Sequence, residues 1–195
     1  LANLEQFMHA DDDLDPLVKM AVMHYQFEAI HPFEDGNGRT GRILNLLYLV
    51  ERGLLDIPVL FLSRYIIANK AGYYEGLRGV TERQEWEPWV LFMLQAVEST
   101  AQQTFDQVTR IRVLMEQVRE QVQQQAPGIY SKDLIEVIFQ HPYTKIQFLV
   151  DSSIAKRQTA SSYLQTLAGL GILRPSKQGR EMYYINDALF AELVK

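Results

Sequence analysis

Residues spaced four and three apart, all apolar but Thr104, run from Val90 through Leu94, Val97, Ala101, Thr104, Val108, Ile111, Met115 and Val118 to Val122. A stripe of that period and length predicts one long α-helix. Glu87-Pro88 opens it, since proline is tolerated in a first helical turn, and Gln123-Gln124-Gln125-Ala126-Pro127-Gly128 closes it as a linker. The stripe has two readings: a coiled coil between two copies of the chain, which would make a homodimer, or a helix packed on its own domain. Ala101 and Thr104 make a weak seam and favour the second.

Ahead of that helix, one short segment concentrates the chemistry: His31-Pro32-Phe33-Glu34-Asp35-Gly36-Asn37-Gly38-Arg39-Thr40-Gly41-Arg42. The residues after it, Ile43, Leu46, Leu47 and Val50, follow helical spacing, and Gly53 supplies a stop. Gly36-Asn37-Gly38 therefore falls in the turn that opens a helix, where unpaired backbone N–H groups and the helix dipole favour an anion. The glycines let a phosphate come close to the backbone. Arg39 and Arg42, three apart, share one side of the first turns, and their forked guanidinium groups suit phosphate oxygens. Asp35 would repel a phosphate unless a cation lay between them, so Mg²⁺ is expected there, with Glu34 either a second donor or solvent-facing. His31 ends an apolar, helix-like segment from Leu17 to Ile30, and Pro32 restricts the chain as it leaves. An imidazole in that place can take the proton of an attacking hydroxyl. Phe33 is expected as an anchor in the core, and His24 as a structural residue.

In order and spacing, His31-x-Phe33-x-Asp35-Gly36-Asn37-Gly38-Arg39-x-x-Arg42 resembles, without gaps, the signature of Fic-domain proteins. The resemblance covers roughly the first hundred residues, a typical domain length, and looks closest to bacterial Fic proteins with a C-terminal winged-helix domain. It implies a protein adenylyltransferase that moves AMP from ATP to a Ser, Thr or Tyr hydroxyl of a target protein and releases pyrophosphate. On that resemblance His31 is the general base and Asp35 the Mg²⁺ ligand. Gly36, Asn37 and Gly38 form the anion hole, and Arg39 and Arg42 hold the outer phosphates. Thr40 and Gly41 would add backbone contacts, and Tyr73-Tyr74 matches a tyrosine pair near the family's nucleotide pocket. Relatives that phosphorylate their targets carry lysine at the second glycine, so Gly38 favours AMP transfer. The motif is also compatible with phosphocholine transfer or AMP removal. Many members carry an inhibitory helix in which a Ser or Thr precedes, by four positions, a Glu followed by Gly or Asn. The nearest segment here, Ala71-Gly72-Tyr73-Tyr74-Glu75-Gly76, lacks the hydroxyl residue. The chain starts at Leu1 already in helix-like sequence, and the family's target-docking flap lies upstream, so a longer protein is expected.

At 47% hydrophobic and 22% charged, the 195-residue chain has the balance of a globular protein. No apolar run is long enough to span a bilayer, and the absence of cysteine suits a cytoplasmic setting. Beyond the linker, Ser131 caps a helix reaching toward His141. Ile146 to Val150 starts a second, and Lys156 to Leu170 reads as a third. Ile172 to Pro175 and Glu181 to Ile185 then read as strands around Ser176-Lys177-Gln178-Gly179-Arg180. The expected fold is mainly α: a Fic-type helical core over 1–122, a linker over 123–130, and a small winged helix-turn-helix domain with a β-hairpin over 131–195. Lys156, Arg157, Gln158, Thr159, Ser161 and Ser162 would face DNA if that domain binds it, which would make the chain a DNA-binding winged-helix regulator with a nucleotide-sensing Fic core. The net charge of −5 argues instead for contacts with protein.

Overall fold

The structure, a computed structural model, describes residues 1–194. It divides into two compact units, Leu1–Phe105 and the residues from Asp106 on. Helices dominate both.

The first unit holds α1 (Ala2–His9), α2 (Pro16–Ile30), α3 (Asn37–Glu51), α4 (Leu62–Ala68), α5 (Lys70–Arg83) and the first part of α6 (Trp86–Gln125). Asp15 opens α2: its carboxylate accepts the N–H groups of Leu17 at 2.8 Å and Val18 at 3.3 Å, with Pro16 as the first helical residue. Met20, Ala21, Met23 and Phe27 of α2 are buried in a cluster with Tyr48 and Leu49 of α3, Tyr73 and Val80 of α5, and Trp89, Met93 and Ala96 of α6. The Trp89 indole donates to the Ala21 carbonyl at 2.9 Å and fixes α6 on α2. The buried ammonium of Lys19 is compensated by the Ala10 carbonyl at 2.7 Å and by Asp12 at 2.9 Å. The acidic loop between α1 and α2 thus serves that lysine.

α3 ends as expected, with Gly53 left-handed at φ 70°. Its inward side, however, is Gly41, Asn45, Tyr48 and Leu49, while Ile43 and Leu47 are more than half exposed. Gly41 has no side chain to hold α2 and α3 apart, so the helix turns that edge to the core. α6 spans the predicted range. Its buried residues in the first unit are Trp89, Met93, Ala96 and Thr100, one position from the Val90–Leu94–Val97 stripe. The Trp89 ring takes the inner place and the stripe sits at its border. The stripe moves fully inside only in the second unit, at Val118 and Val122. The two units divide within α6, so residues 106–122, expected in the core domain, pack with the second unit.

The second unit continues with a 3₁₀ turn, Pro127–Ile129, and then α7 (Lys132–Gln140), β1 (Tyr143–Thr144), α8 (Ile146–Asp151), α9 (Arg157–Gly169), β2 (Arg174–Gln178), β3 (Glu181–Ile185) and α10 (Asp187–Leu193). Ser131 caps α7 as expected, its hydroxyl accepting the Leu134 N–H at 3.1 Å. The strands form an antiparallel sheet in the order β1-β3-β2. The hairpin starts later than expected: Ile172 and Leu173 are core residues, Ser176 to Gln178 extend β2, and the turn is Gly179-Arg180, with Gly179 at φ 61°. Pro175 is tolerated because β2 is an edge strand. β1 and α10 were not foreseen, since a two-residue strand has no period to read. Lys156, Arg157, Gln158 and Thr159 are exposed at the start of α9, while Ala160, Leu164 and Leu167 are buried. The last residue of the expected C-terminal domain, Lys195, lies outside the described residues. No described helix is long and apolar enough to cross a membrane.

Candidate functional site

α2 and α3 are joined by a tight loop whose every turn is fixed by a side chain or an unusual dihedral. α2 ends at His31, which is left-handed (φ 49°, ψ 58°) with its N–H on the Phe27 carbonyl at 3.1 Å. That conformation is uncommon for a residue with a Cβ, and strain of this kind concentrates at functional sites. Asn37 is buried and staples the loop: its amide oxygen accepts the Phe33 N–H at 2.9 Å and its amide nitrogen donates to the Phe33 carbonyl at 2.6 Å. The Asp35 carboxylate accepts the Gly36 N–H at 2.7 Å. Gly36 itself is left-handed at φ 87°, which glycine alone adopts without strain, and its carbonyl receives the first helical bond from Thr40 at 2.9 Å. The N–H groups of Asn37, Gly38 and Arg39 are left without a hydrogen-bond partner among the described residues. The start of α3 is therefore an open set of donors backed by a helix dipole.

In front of those donors lies a cavity of about 420 Å³, a size suited to a small ligand. His31, Asp35, Gly36, Asn37, Gly38, Arg39 and Arg42 line it from the α2–α3 side, with Glu34 at the same edge. Ile66 and Ile67 of α4 and Lys70, Tyr73 and Tyr74 of α5 face them, and Glu28 of α2 completes the wall. His31 is exposed, and its ring makes no hydrogen bond among the described residues.

The two arginines differ. Arg39 pairs with Asp35 at 3.0 Å, but their side chains are 71% and 92% exposed, so water screens the pair and it can yield to a ligand. Arg42 is more enclosed: its Nε donates to the Ser63 hydroxyl at 2.7 Å. Both guanidinium groups lie back over the glycines. A Cβ on Gly36 would come within 3.4 Å of Arg39 Nη2, and one on Gly38 within 3.0 Å of Arg42 Nη1.

Behind the cavity wall sits a buried polar pair, His24 and Tyr73, with Nε2 and the phenolic oxygen 2.9 Å apart. Burial pushes the His24 imidazole down to about 4, and the charge of Arg42 adds to the effect. Burial also pushes the Tyr73 phenol up, and the neighbouring Glu28 charge raises it further. Glu28 is half-buried. Desolvation raises its carboxyl above the usual range, while Arg42 and then His31 pull it back, and Oε1 has no hydrogen-bond partner among the described residues. Tyr74, by contrast, is 62% exposed and meets Tyr73 edge-on at 5.4 Å.

The structure thus brings His31, Asp35, the Gly36-Asn37-Gly38 turn, both arginines and the tyrosine pair to one cavity. Thr40 and Gly41 do not line it. The Thr40 hydroxyl turns back to the Gly36 carbonyl at 3.1 Å, and Gly41 is buried against His24 and Glu28. Phe33 is not a core anchor either: it is 49% exposed and touches only the margin of the core, its ring 6.3 Å from that of Phe27. Asn37 fixes the backbone at residue 33 and leaves the ring outside. Sequence reasoning overlooked Glu28, Ser63, Ile66, Ile67 and Lys70. Glu28 carried a signal, since it precedes His31 by three and shares its helix side. The others reach the site through tertiary packing alone.

Residues 1–49 match the Fic/DOC family model, and residues 114–189 match that of the C-terminal domain of SoFic-like protein adenylyltransferases. A probable protein adenylyltransferase of Aquifex aeolicus is 40% identical over 68 residues, 35% of this chain and 21% of that protein. The protein adenylyltransferase Fic of Nematostella vectensis is 32% identical over 107 residues, 50% of this chain and 23% of that protein. The protein adenylyltransferase fic-1 of Caenorhabditis briggsae is 33% identical over 89 residues, 46% and 16% respectively. The chain therefore spans about a fifth of the length of these relatives. The crystal structure of a Fic family protein from Desulfovibrio desulfuricans shares the fold, with a TM-score of 0.50 at 20% identity, covering 94% of this chain and 53% of that one. A helical domain with unpaired amides at one helix start facing a cavity is the class that fold and site define. Within it, the chain is similar to Fic-domain proteins, over residues 1–49 in sequence and in its fold.

Proposed function

We propose that this chain carries the catalytic centre of a protein adenylyltransferase, moving AMP from ATP to a hydroxyl of a target protein. One observation supports the reading above all others. The unpaired N–H groups at the start of α3, the imidazole of His31 and the guanidinium groups of Arg39 and Arg42 share one cavity with an aromatic and aliphatic wall. The phosphates would lie on the donors, and the adenosine against Ile66, Ile67 and Tyr74.

The acceptor oxygen attacks the α-phosphorus, and the bond from that phosphorus to the oxygen bridging to the β-phosphate breaks. His31 takes the hydroxyl proton. Pyrophosphate leaves with the electron pair, its charge met by Arg39 and Arg42. Positioning and fixed charge supply most of the acceleration in such a displacement.

The Asp35 carboxylate, exposed at the cavity edge with one oxygen on the Gly36 N–H and the other in a screened ion pair, fits a Mg²⁺ ligand. No group of three or more His, Asp or Glu among the described residues could hold a metal, so phosphate oxygens would complete the coordination. Bound there, the ion would offset the charge of the phosphates.

The test is label transfer from ATP to protein, using the full-length protein and a cell extract as the source of targets. Incorporation of α-labelled but not γ-labelled phosphate, abolished by His31→Ala, is the expected result. Incorporation of γ-label, or α-label transfer that survives His31→Ala, would overturn the proposal.

A further inference from the structure

The two arginines of the site are held in different ways, and the difference has a consequence for binding. Arg39 rests on a carboxylate, Asp35, which partly cancels its charge. Arg42 has no carboxylate within ion-pairing distance among the described residues. Its one hydrogen bond is to Ser63, the second residue of α4, through Nε at 2.7 Å. A hydroxyl is neutral, so it fixes the guanidinium without competing with an incoming anion. With Nε occupied, the two terminal nitrogens stay free, and Nη1 lies over Gly38 at the opening of the anion site. A free arginine side chain would lose rotamer freedom on meeting a phosphate, and holding it beforehand removes that loss.

We propose that Ser63 is a positioning residue: it holds the Arg42 guanidinium aimed at the outer phosphates of the nucleotide. This rests on the nucleotide reading of the site. It predicts a role that discriminates by phosphate number, because a ligand without outer phosphates does not need Arg42. Glu28 lies near the same guanidinium, but no ion pair joins the two among the described residues, which leaves the Ser63 hydroxyl as the direct hold.

Two measurements on the unmodified chain and on Ser63→Ala and Ser63→Thr decide it. In the unliganded protein, the Arg42 Nε–H proton resonance is expected to exchange slowly with water, to exchange fast in Ser63→Ala, and to stay slow in Ser63→Thr. By calorimetry in Mg²⁺ buffer, Ser63→Ala is expected to weaken ATP binding about tenfold, the scale of one lost charge-assisted hydrogen bond, and to leave AMP binding within about twofold. Ser63→Thr retains ATP affinity. Equal weakening of ATP and AMP, or unchanged exchange in Ser63→Ala, overturns the positioning role while the nucleotide reading stands. A parent chain with slow Arg42 Nε–H exchange and no ATP affinity overturns both.

Discussion

Lowering the pH should destabilise the first unit through one buried imidazole, and the size of the effect follows from its surroundings. His24 is 1% exposed, stacked against Trp89 and hydrogen-bonded to Tyr73. Burial holds it down at about 4, against 6.5 for an ordinary imidazole. The folded value lies below the unfolded one, so the unfolded chain takes up the proton first. The stability tied to neutral His24 is whole above about pH 7 and is lost as the pH falls through 6.5 toward 4. Between about pH 7.5 and 4.5, linkage gives a loss of about 2.5 kcal/mol. Glu28 acts with the opposite sign. Its raised carboxyl makes the folded form the stronger proton binder, so acidification favours folding through that group. Comparing the parent chain with His24→Gln cancels the contribution of Glu28 and of the exposed acids. Trp86 and Trp89, the chain's two tryptophans, both lie in the first unit, so urea unfolding followed by their fluorescence reads this unit directly. The parent should lose about 2.5 kcal/mol more than His24→Gln across that pH range. Parallel pH curves for the two proteins would refute the assignment of a neutral, desolvated His24.

Arg42→Ala should weaken ATP binding by about 2 kcal/mol in calorimetry through loss of charge-assisted bonds, and a change below about 0.5 kcal/mol would remove Arg42 from the phosphate site. Ser131→Ala should destabilise the second unit by about 1 kcal/mol through loss of the α7 cap. That is read by thermal melting of the unit's helical signal, with the tryptophan transition of the first unit as the unchanged reference.

What could be read in advance divides along a physical line. The start of α3 was legible because glycine, asparagine and arginine at fixed spacing determine backbone geometry and charge within one loop. α6 was legible because its stripe repeats at ten positions from Val90 to Val122. The inward side of each helix was less so: Gly41 and Trp89 override the aliphatic pattern, since close approach and ring volume decide packing more than hydropathy does. Phe33 misleads for a related reason, because the Asn37 staple sets the backbone before the ring can seek the core. The second wall of the cavity was illegible, since Ser63, Ile66, Ile67 and Lys70 reach the site only through the packing of α4 and α5. The change of packing partner within α6 leaves no mark in composition, because the helix itself is unbroken there.

The central claim is that the unpaired amides at the start of α3 hold the phosphates of a nucleotide. A titration of ¹⁵N-labelled protein with ATP, with adenosine as the control, reads those amides individually. The resonances of Asn37, Gly38 and Arg39 should shift downfield with ATP, saturate together, and stay in place with adenosine. If they stay in place at saturating ATP, or move equally with adenosine, nucleotide phosphates are not bound at this helix start.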